Sequence, residues 1–141
     1  MEEEGISPSR IVPYGRSIGT GAALYLARKY EPLGVILEGA FLSVFRVLTQ
    51  VRLHPLDPLP NLKNIRHISC PLLSIHGTRD GVVPFWQGKK LHDAAKVSKD
   101  HYWVEGAGHN DLLFVAGEAY YERLRDFLDT LAPRSSGDLR P

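Results

Sequence analysis

The stretch VPYGRSIGTGAALYLA, residues 12–27, constrains this chain more than any other. An apolar run leads into Gly15-Arg16-Ser17-Ile18-Gly19, and an alanine- and leucine-rich helical pattern over 19–30 follows at once. A strand that turns this directly into a helix must reverse sharply. The serine is then held in a strained backbone conformation, and a side chain at either glycine would collide with the turn. The hydroxyl would stand above the end of the strand, near the positive end of the helix beginning at Ile18. Gly21 would let that helix pack closely on its neighbours. Strand, G-x-S-x-G and helix together are the pattern of a nucleophile elbow. A glycine-rich turn at a helix start also suits a bound phosphate, although neither G-x-G-x-x-G nor the lysine of G-x-x-x-x-G-K-[ST] is present. Taken alone, the motif leaves a catalytic serine and a plain tight turn both open.

The rest of the chain alternates two kinds of apolar stretch. Residues 11–14, 34–37, 72–75 and 102–104 are short runs bounded by turn residues and are expected as buried strands. Residues 19–30, 86–95 and 117–131 are helical, the last with apolar side chains at Tyr120, Leu124, Phe127, Leu128 and Leu131. Strands alternating with helices imply an α/β fold, about four mainly parallel strands covered on both faces. Residues 41–71 break the rhythm with prolines at 55, 58 and 60. A helix over 43–51 and a loop over the HPLDPLPNL run are expected there, lying as a partial cap above the carboxyl ends of the strands. The tail 133–141 lacks an apolar pattern and is expected to be disordered, so 1–132 forms the one domain.

A serine alcohol needs an oriented base. Asp80 follows the strand 72–75 on a loop with Gly77 and Gly81, and His109 follows the strand 102–104 on a loop with Gly106 and Gly108. Both fall at carboxyl ends of strands, where Ser17 also lies and where open α/β sheets build their sites. The order Ser, Asp, His is that of the α/β-hydrolases. Competing residues carry less. His76 is expected as a strand-end residue holding a loop, His54 and His67 flank the proline-rich excursion, and His92 and His101 are expected on exposed, charged ground. Asp111 would have to fold back on its own loop to serve His109. His54 with Asp57 lacks further ligands, so no metal is expected, and Cys70 reads as a small buried hydrophobe.

At 141 residues, 43% hydrophobic and 23% charged, the chain suits one soluble globular domain. A net charge of +1 gives no case for nucleic acid or an acidic membrane surface. One cysteine excludes an internal disulfide and makes a reducing, cytoplasmic setting the expectation. No apolar run reaches the roughly 18 residues of a membrane span, and MEEEG is unlike a secretory signal.

The segments YGRSIGTG, PLLSIHGTRDGVVPFWQG and WVEGAGHNDL with YYERLRDFL resemble the carboxyl-terminal half of the α/β-hydrolase superfamily. The group includes the α/β-hydrolase domain 17 and 13 proteins, Bem46-like proteins and serine-aminopeptidase-like relatives, and the likeness runs from about Gly5 to Leu131. It implies strands equivalent to the fifth to eighth of the family's sheet, and a serine hydrolase acting on an ester, thioester or amide through an acyl-serine intermediate. Ser17 matches the nucleophile, Asp80 the acid, His109 the base, and the Ile18 amide an oxyanion donor. Arg16, Phe41 and Val82 are expected to meet a small-molecule or acyl substrate, and no cofactor is implied.

The family's first four strands have no counterpart, and with them goes the loop that carries a second oxyanion amide. Losing one such donor typically costs about 100- to 1,000-fold in turnover. The alternative expectation is therefore a truncated, inactive fragment that acts, if at all, by association. The strand over 11–14 would have a bare edge suited to self-association, and an edge would also ease the placement of Pro13. MEEEGISPSRI resembles the end of a helix and the loop into the fifth strand, so Met1 is expected as an internal start of a longer product. The amino-terminal cysteine cluster of the group's palmitoyl-protein thioesterases is absent.

Overall fold

A computed structural model describes residues 5–43 and 60–131. The expected helix over 43–51, most of the HPLDPLPNL run with His54 and Asp57, and the tail 133–141 lie outside or almost wholly outside the described residues. After a 3-10 turn at Pro8–Arg10, the elements in chain order are β1 (Tyr14–Arg16), α1 (Gly19–Tyr30), β2 (Val35–Glu38), α2 (Asn61–Ile65), β3 (Leu72–Gly77), α3 (Phe85–Ala94), β4 (Lys99–Val104), α4 (Leu112–Ala116) and α5 (Glu118–Leu131). The four strands form one sheet in the order β1-β2-β3-β4, and each neighbouring pair is parallel.

Pro13 explains where β1 starts. It can only accept, and the regular ladder begins at its carbonyl, which takes the Ile36 amide at 2.9 Å. The strand expected at 11–14 is therefore shifted, with Tyr14, Gly15 and Arg16 in register with Ile36, Leu37 and Glu38. Among the described residues β1 pairs only with β2, so it is an edge of this sheet.

Side chains alternate across the sheet with the period of two that strands impose. Val35, Leu37 and Leu72 join Leu24 and Ala27 of α1, Ile65 of α2 and Leu91 of α3 in one core. Ile36, Leu73, Ile75 and Val104 face the other way, onto Leu112, Tyr120, Phe127 and Leu131 of α4 and α5. Because both faces are covered, β2 and β3 are buried along their whole length and read as continuous apolar runs. Leu24 and Leu72 are both fully out of water, each burial contributing about 1.5–3 kcal/mol.

In residues 60–71, α2 packs beside α1, and Ile65, Ile68 and Cys70 sit in the core. Asn61, which composition placed in a loop, is wholly buried and donates to the Phe41 carbonyl at 2.9 Å. The helix expected over 117–131 starts one residue later, at Glu118, and a short helix not expected from the sequence, Leu112–Ala116, precedes it. Gly117 separates the two, with a left-handed φ of 56° that is cheap only for glycine.

Candidate active site

The elbow is built as its spacing demands, with one asymmetry. Ser17 has a φ of 50°, a left-handed conformation that non-glycine residues rarely adopt. Its amide is tied to the Glu38 carbonyl at 2.8 Å, and its own carbonyl accepts from the Thr20 amide and hydroxyl at 3.0 and 2.6 Å. A Cβ on Gly15 would lie 2.5 Å from the Gly19 carbonyl oxygen and 2.7 Å from the Ala23 methyl. A Cβ on Gly19 would meet nothing within 4 Å. The collision expected at both glycines thus belongs to Gly15 alone: Gly19 contributes through its backbone, on which Gly15 rests. Ile18 is the N-cap of α1, where amides lack partners within the helix, and its side chain is 69% exposed.

Asp80 and His109 reach this serine from two loops stitched to each other. The Thr78 amide donates to the Val104 carbonyl at 3.0 Å, the Arg79 amide to Ala107 at 2.9 Å, and the Gly106 amide to the Thr78 hydroxyl at 2.9 Å. Gly77 lies against the Ala107 carbonyl so closely that a Cβ there would overlap it. Asp111 accepts from the Gly108 amide at 2.6 Å, closing its own loop.

The result is one hydrogen-bonded chain. His109 Nε2 is 3.0 Å from Ser17 Oγ, and His109 Nδ1 is 2.7 Å from Asp80 Oδ2. The remaining oxygen of Asp80, Oδ1, accepts from the Val82 and Val83 amides at 2.9 and 2.7 Å. Burial works to raise the Asp80 carboxyl, but hydrogen bonds from His76, His109 and Val83 outweigh it and hold it down at about 2. Asp80 is therefore an acceptor only, so Nδ1 carries a proton and the serine hydroxyl donates to Nε2.

The other expected site residues fall as follows. Arg16 turns its guanidinium to protein acceptors: Nε donates to Glu38 Oε1 at 2.9 Å and an NH2 group to the His109 carbonyl at 2.7 Å. Phe41 is buried at 3% exposure, whereas Val82 is half exposed. His76 lies within β3 and donates from Nε2 to the Val83 carbonyl at 2.9 Å, so it holds the Asp80 loop. His67 is exposed, its Nδ1 2.8 Å from the Lys63 carbonyl. His92, expected on exposed ground, is instead buried against Ser74 Oγ at 2.9 Å, because α3 lays it onto the sheet.

Two neighbours of the site escaped the sequence reading. Gly39, φ 58°, ends β2 beside the His109 ring, and a Cβ there would come within 3.2 Å of Cε1. Glu38 is buried beneath the elbow with Tyr14 and Tyr120 on its carboxylate. The one signal in the sequence was an acid closing the apolar run VILE.

No family profile matches the chain. Alpha/beta hydrolase domain-containing protein 17C of Mus musculus is 38% identical over 133 residues, 93% of this chain and 41% of that protein. Alpha/beta hydrolase domain-containing protein 17B of Homo sapiens is 39% identical over 126 residues, 88% of this chain and 43% of that protein. The chain thus spans about two fifths of the length of these relatives. Among solved structures, the esterase domain of a Rhodothermus marinus protein superposes with a TM-score of 0.64 at 23% identity, over 82% of this chain and 59% of that one. Pyrococcus horikoshii acylaminoacyl peptidase does so with a TM-score of 0.75 at 15% identity, over 92% and 25%. The fold is a partial α/β-hydrolase fold, and the sequence resembles the domain 17 proteins within that superfamily.

Proposed function

We propose that this chain carries the reaction centre of a serine hydrolase that cleaves an ester, thioester or amide through an acyl-serine intermediate. The observation that supports the reading is the unbroken chain from Ser17 Oγ through His109 to Asp80, with links of 3.0 and 2.7 Å. In the forward step Ser17 Oγ attacks the substrate carbonyl carbon while its proton passes to His109 Nε2. The imidazolium is stabilised by Asp80, and the carbonyl oxygen, now an oxyanion, faces the Ile18 amide. Collapse expels the leaving group, which takes the proton from Nε2. A water then repeats the sequence on the acyl-serine and frees the acid. The exposed Ile18 and Val82 side chains are the surfaces assigned to the acyl group. The single cysteine, Cys70, is buried and free, which suits a reducing cytoplasm.

A fluorophosphonate probe tests this reading directly. The 141-residue chain should be labelled, and Ser17→Ala should abolish labelling; a mutant that still reacts removes Ser17 from the role. A second reading has its own observation, the unpaired outer edge of β1 among the described residues. On that reading the chain is catalytically silent by itself and acts by association, with itself or another chain, through that edge. A monomer by gel filtration that reacts with the probe would exclude it.

A further inference from the structure

Glu38 is the unusual residue beneath the elbow, a carboxylate with 8% side-chain exposure at the end of an otherwise apolar strand. A buried charge persists only when it is paired and hydrogen-bonded. Its Oε1 takes Arg16 Nε at 2.9 Å, and its Oε2 takes the Tyr120 hydroxyl at 2.7 Å and the Tyr14 hydroxyl as well. The two phenols are 2.6 Å apart. Glu38 is thereby fixed from β1 and α5, and it fixes Arg16 in turn.

The other arm of Arg16 reaches past the elbow. Its NH2 group donates to the His109 carbonyl at 2.7 Å and lies 3.4 Å from Asn110 Oδ1. The neighbouring ties of that loop hold Gly106, Ala107 and Gly108, whereas Arg16 grips His109 itself. Meanwhile the Glu38 carbonyl holds the Ser17 amide at 2.8 Å. One buried acid therefore locates the serine through its backbone and the histidine through a guanidinium. A planar fork with fixed donor directions can span two such acceptors, and an ammonium cannot.

We infer that Arg16 is a positioning residue for His109, anchored by Glu38, rather than a substrate contact. This rests on the Ser17–His109 reading above, and the two can fail separately. Arg16 and Glu38 touch no reacting atom in that scheme. Their effect would come through the reach of Nε2, where a displacement near 1 Å can cost on the order of 100-fold in rate.

The test uses the full chain and three variants, Arg16→Ala, Arg16→Lys and Glu38→Gln, with a neutral ester, p-nitrophenyl acetate, and amide NMR spectra. The deciding signal is the Asn110 amide, which shares the peptide unit whose carbonyl Arg16 holds. In Arg16→Ala this amide should shift and exchange faster with solvent, and kcat should fall roughly 10- to 100-fold while KM stays within about twofold. Arg16→Lys should not restore either readout, whereas millimolar guanidinium added to Arg16→Ala should restore both in part. Glu38→Gln should reproduce the Arg16→Ala effects more weakly. An unmoved Asn110 amide in Arg16→Ala, or a change confined to KM, overturns the inference. Should wild type turn over no ester and take no probe, the functional reading fails while the Asn110 amide still decides this one. Should Arg16→Ala fail to fold, Arg16→Lys keeps a charge beside Glu38 and the same amide decides.

Discussion

His76 Nε2 lies 3.4 Å from Asp80 Oδ2, with the two side chains at 1% and 2% exposure. The same N–H donates to the Val83 carbonyl at 2.9 Å, and Gly88 sits against the ring so tightly that any side chain there would overlap Nδ1. The imidazole is thus a rigid strut between β3 and the loop bearing Asp80. Replacing it with a ring that cannot donate leaves the Val83 carbonyl short of a partner in a dry site. His76→Phe should cost about 1–3 kcal/mol in urea unfolding. It should also slow Ser17 labelling, because the carboxylate that orients His109 is less firmly held. Unchanged stability and labelling would mean that the strut carries no weight.

The Asp80 carboxyl sets an acid limit on the fold. Burial would raise it, but its hydrogen-bond donors hold it at about 2 against an ordinary value of 3.8. A folded value below the unfolded one stabilises the protein above the unfolded value, and that stability is lost as pH falls through the folded value. The window therefore runs from about 3.8 down to about 2, and the contribution is roughly 2 kcal/mol. Asp80→Asn should erase this part of the pH profile in unfolding experiments. It should also lower Ser17 reactivity by as much as about 10⁴-fold, the loss the same change produces in serine proteases. A mutant that keeps the wild-type slope below pH 3.8 would assign the acid limit elsewhere.

His92 adds a second, higher window. Burial, then the nearby Lys99 ammonium and His101, lower it from 6.5 to about 4. The unfolded chain binds this proton first, so stability present above 6.5 drains away as pH falls toward about 4. His92→Phe should flatten the slope of stability against pH across that interval, whatever it does to stability at neutral pH. The ring should still pack edge-on against Trp103, as His92 does at 5.5 Å. A slope that survives the substitution would identify another titrating group.

Much of this was legible in the sequence, and the part that was not has a physical cause. The helix over 19–30 matches α1 residue for residue, since alanine and leucine favour helix and the elbow fixes its start. Ser17, Asp80 and His109 were each readable from a strand followed by a glycine-bearing loop, a local signature. Contacts across strands left no such trace. Glu38 reads as an acid at a strand end, and only the parallel register with Arg16 shows what it pairs with. His92 lies among lysines and an aspartate in sequence, yet one face of α3 is buried and carries it inward. Pro13 shifted the first strand because a missing donor acts on the neighbouring strand, which a pattern of apolar residues cannot register.

The two glycines of G-x-S-x-G look equivalent in sequence and should behave oppositely when mutated. At Gly15 a methyl would be driven into the Gly19 carbonyl at 2.5 Å and the Ala23 methyl at 2.7 Å. One of these is main chain and cannot yield without moving the first turn of α1. Gly15→Ala should therefore cost about 1–3 kcal/mol or more and, by shifting the elbow, suppress labelling of Ser17. At Gly19 a methyl enters open space at the first residue of α1. Gly19→Ala should gain about 0.4–1 kcal/mol, since alanine loses less backbone freedom on folding than glycine. Thermal unfolding and probe labelling of the two single mutants measure both effects. Equal tolerance at the two positions would show that the turn around Ser17 is looser than the close approach of Gly15 to α1 implies.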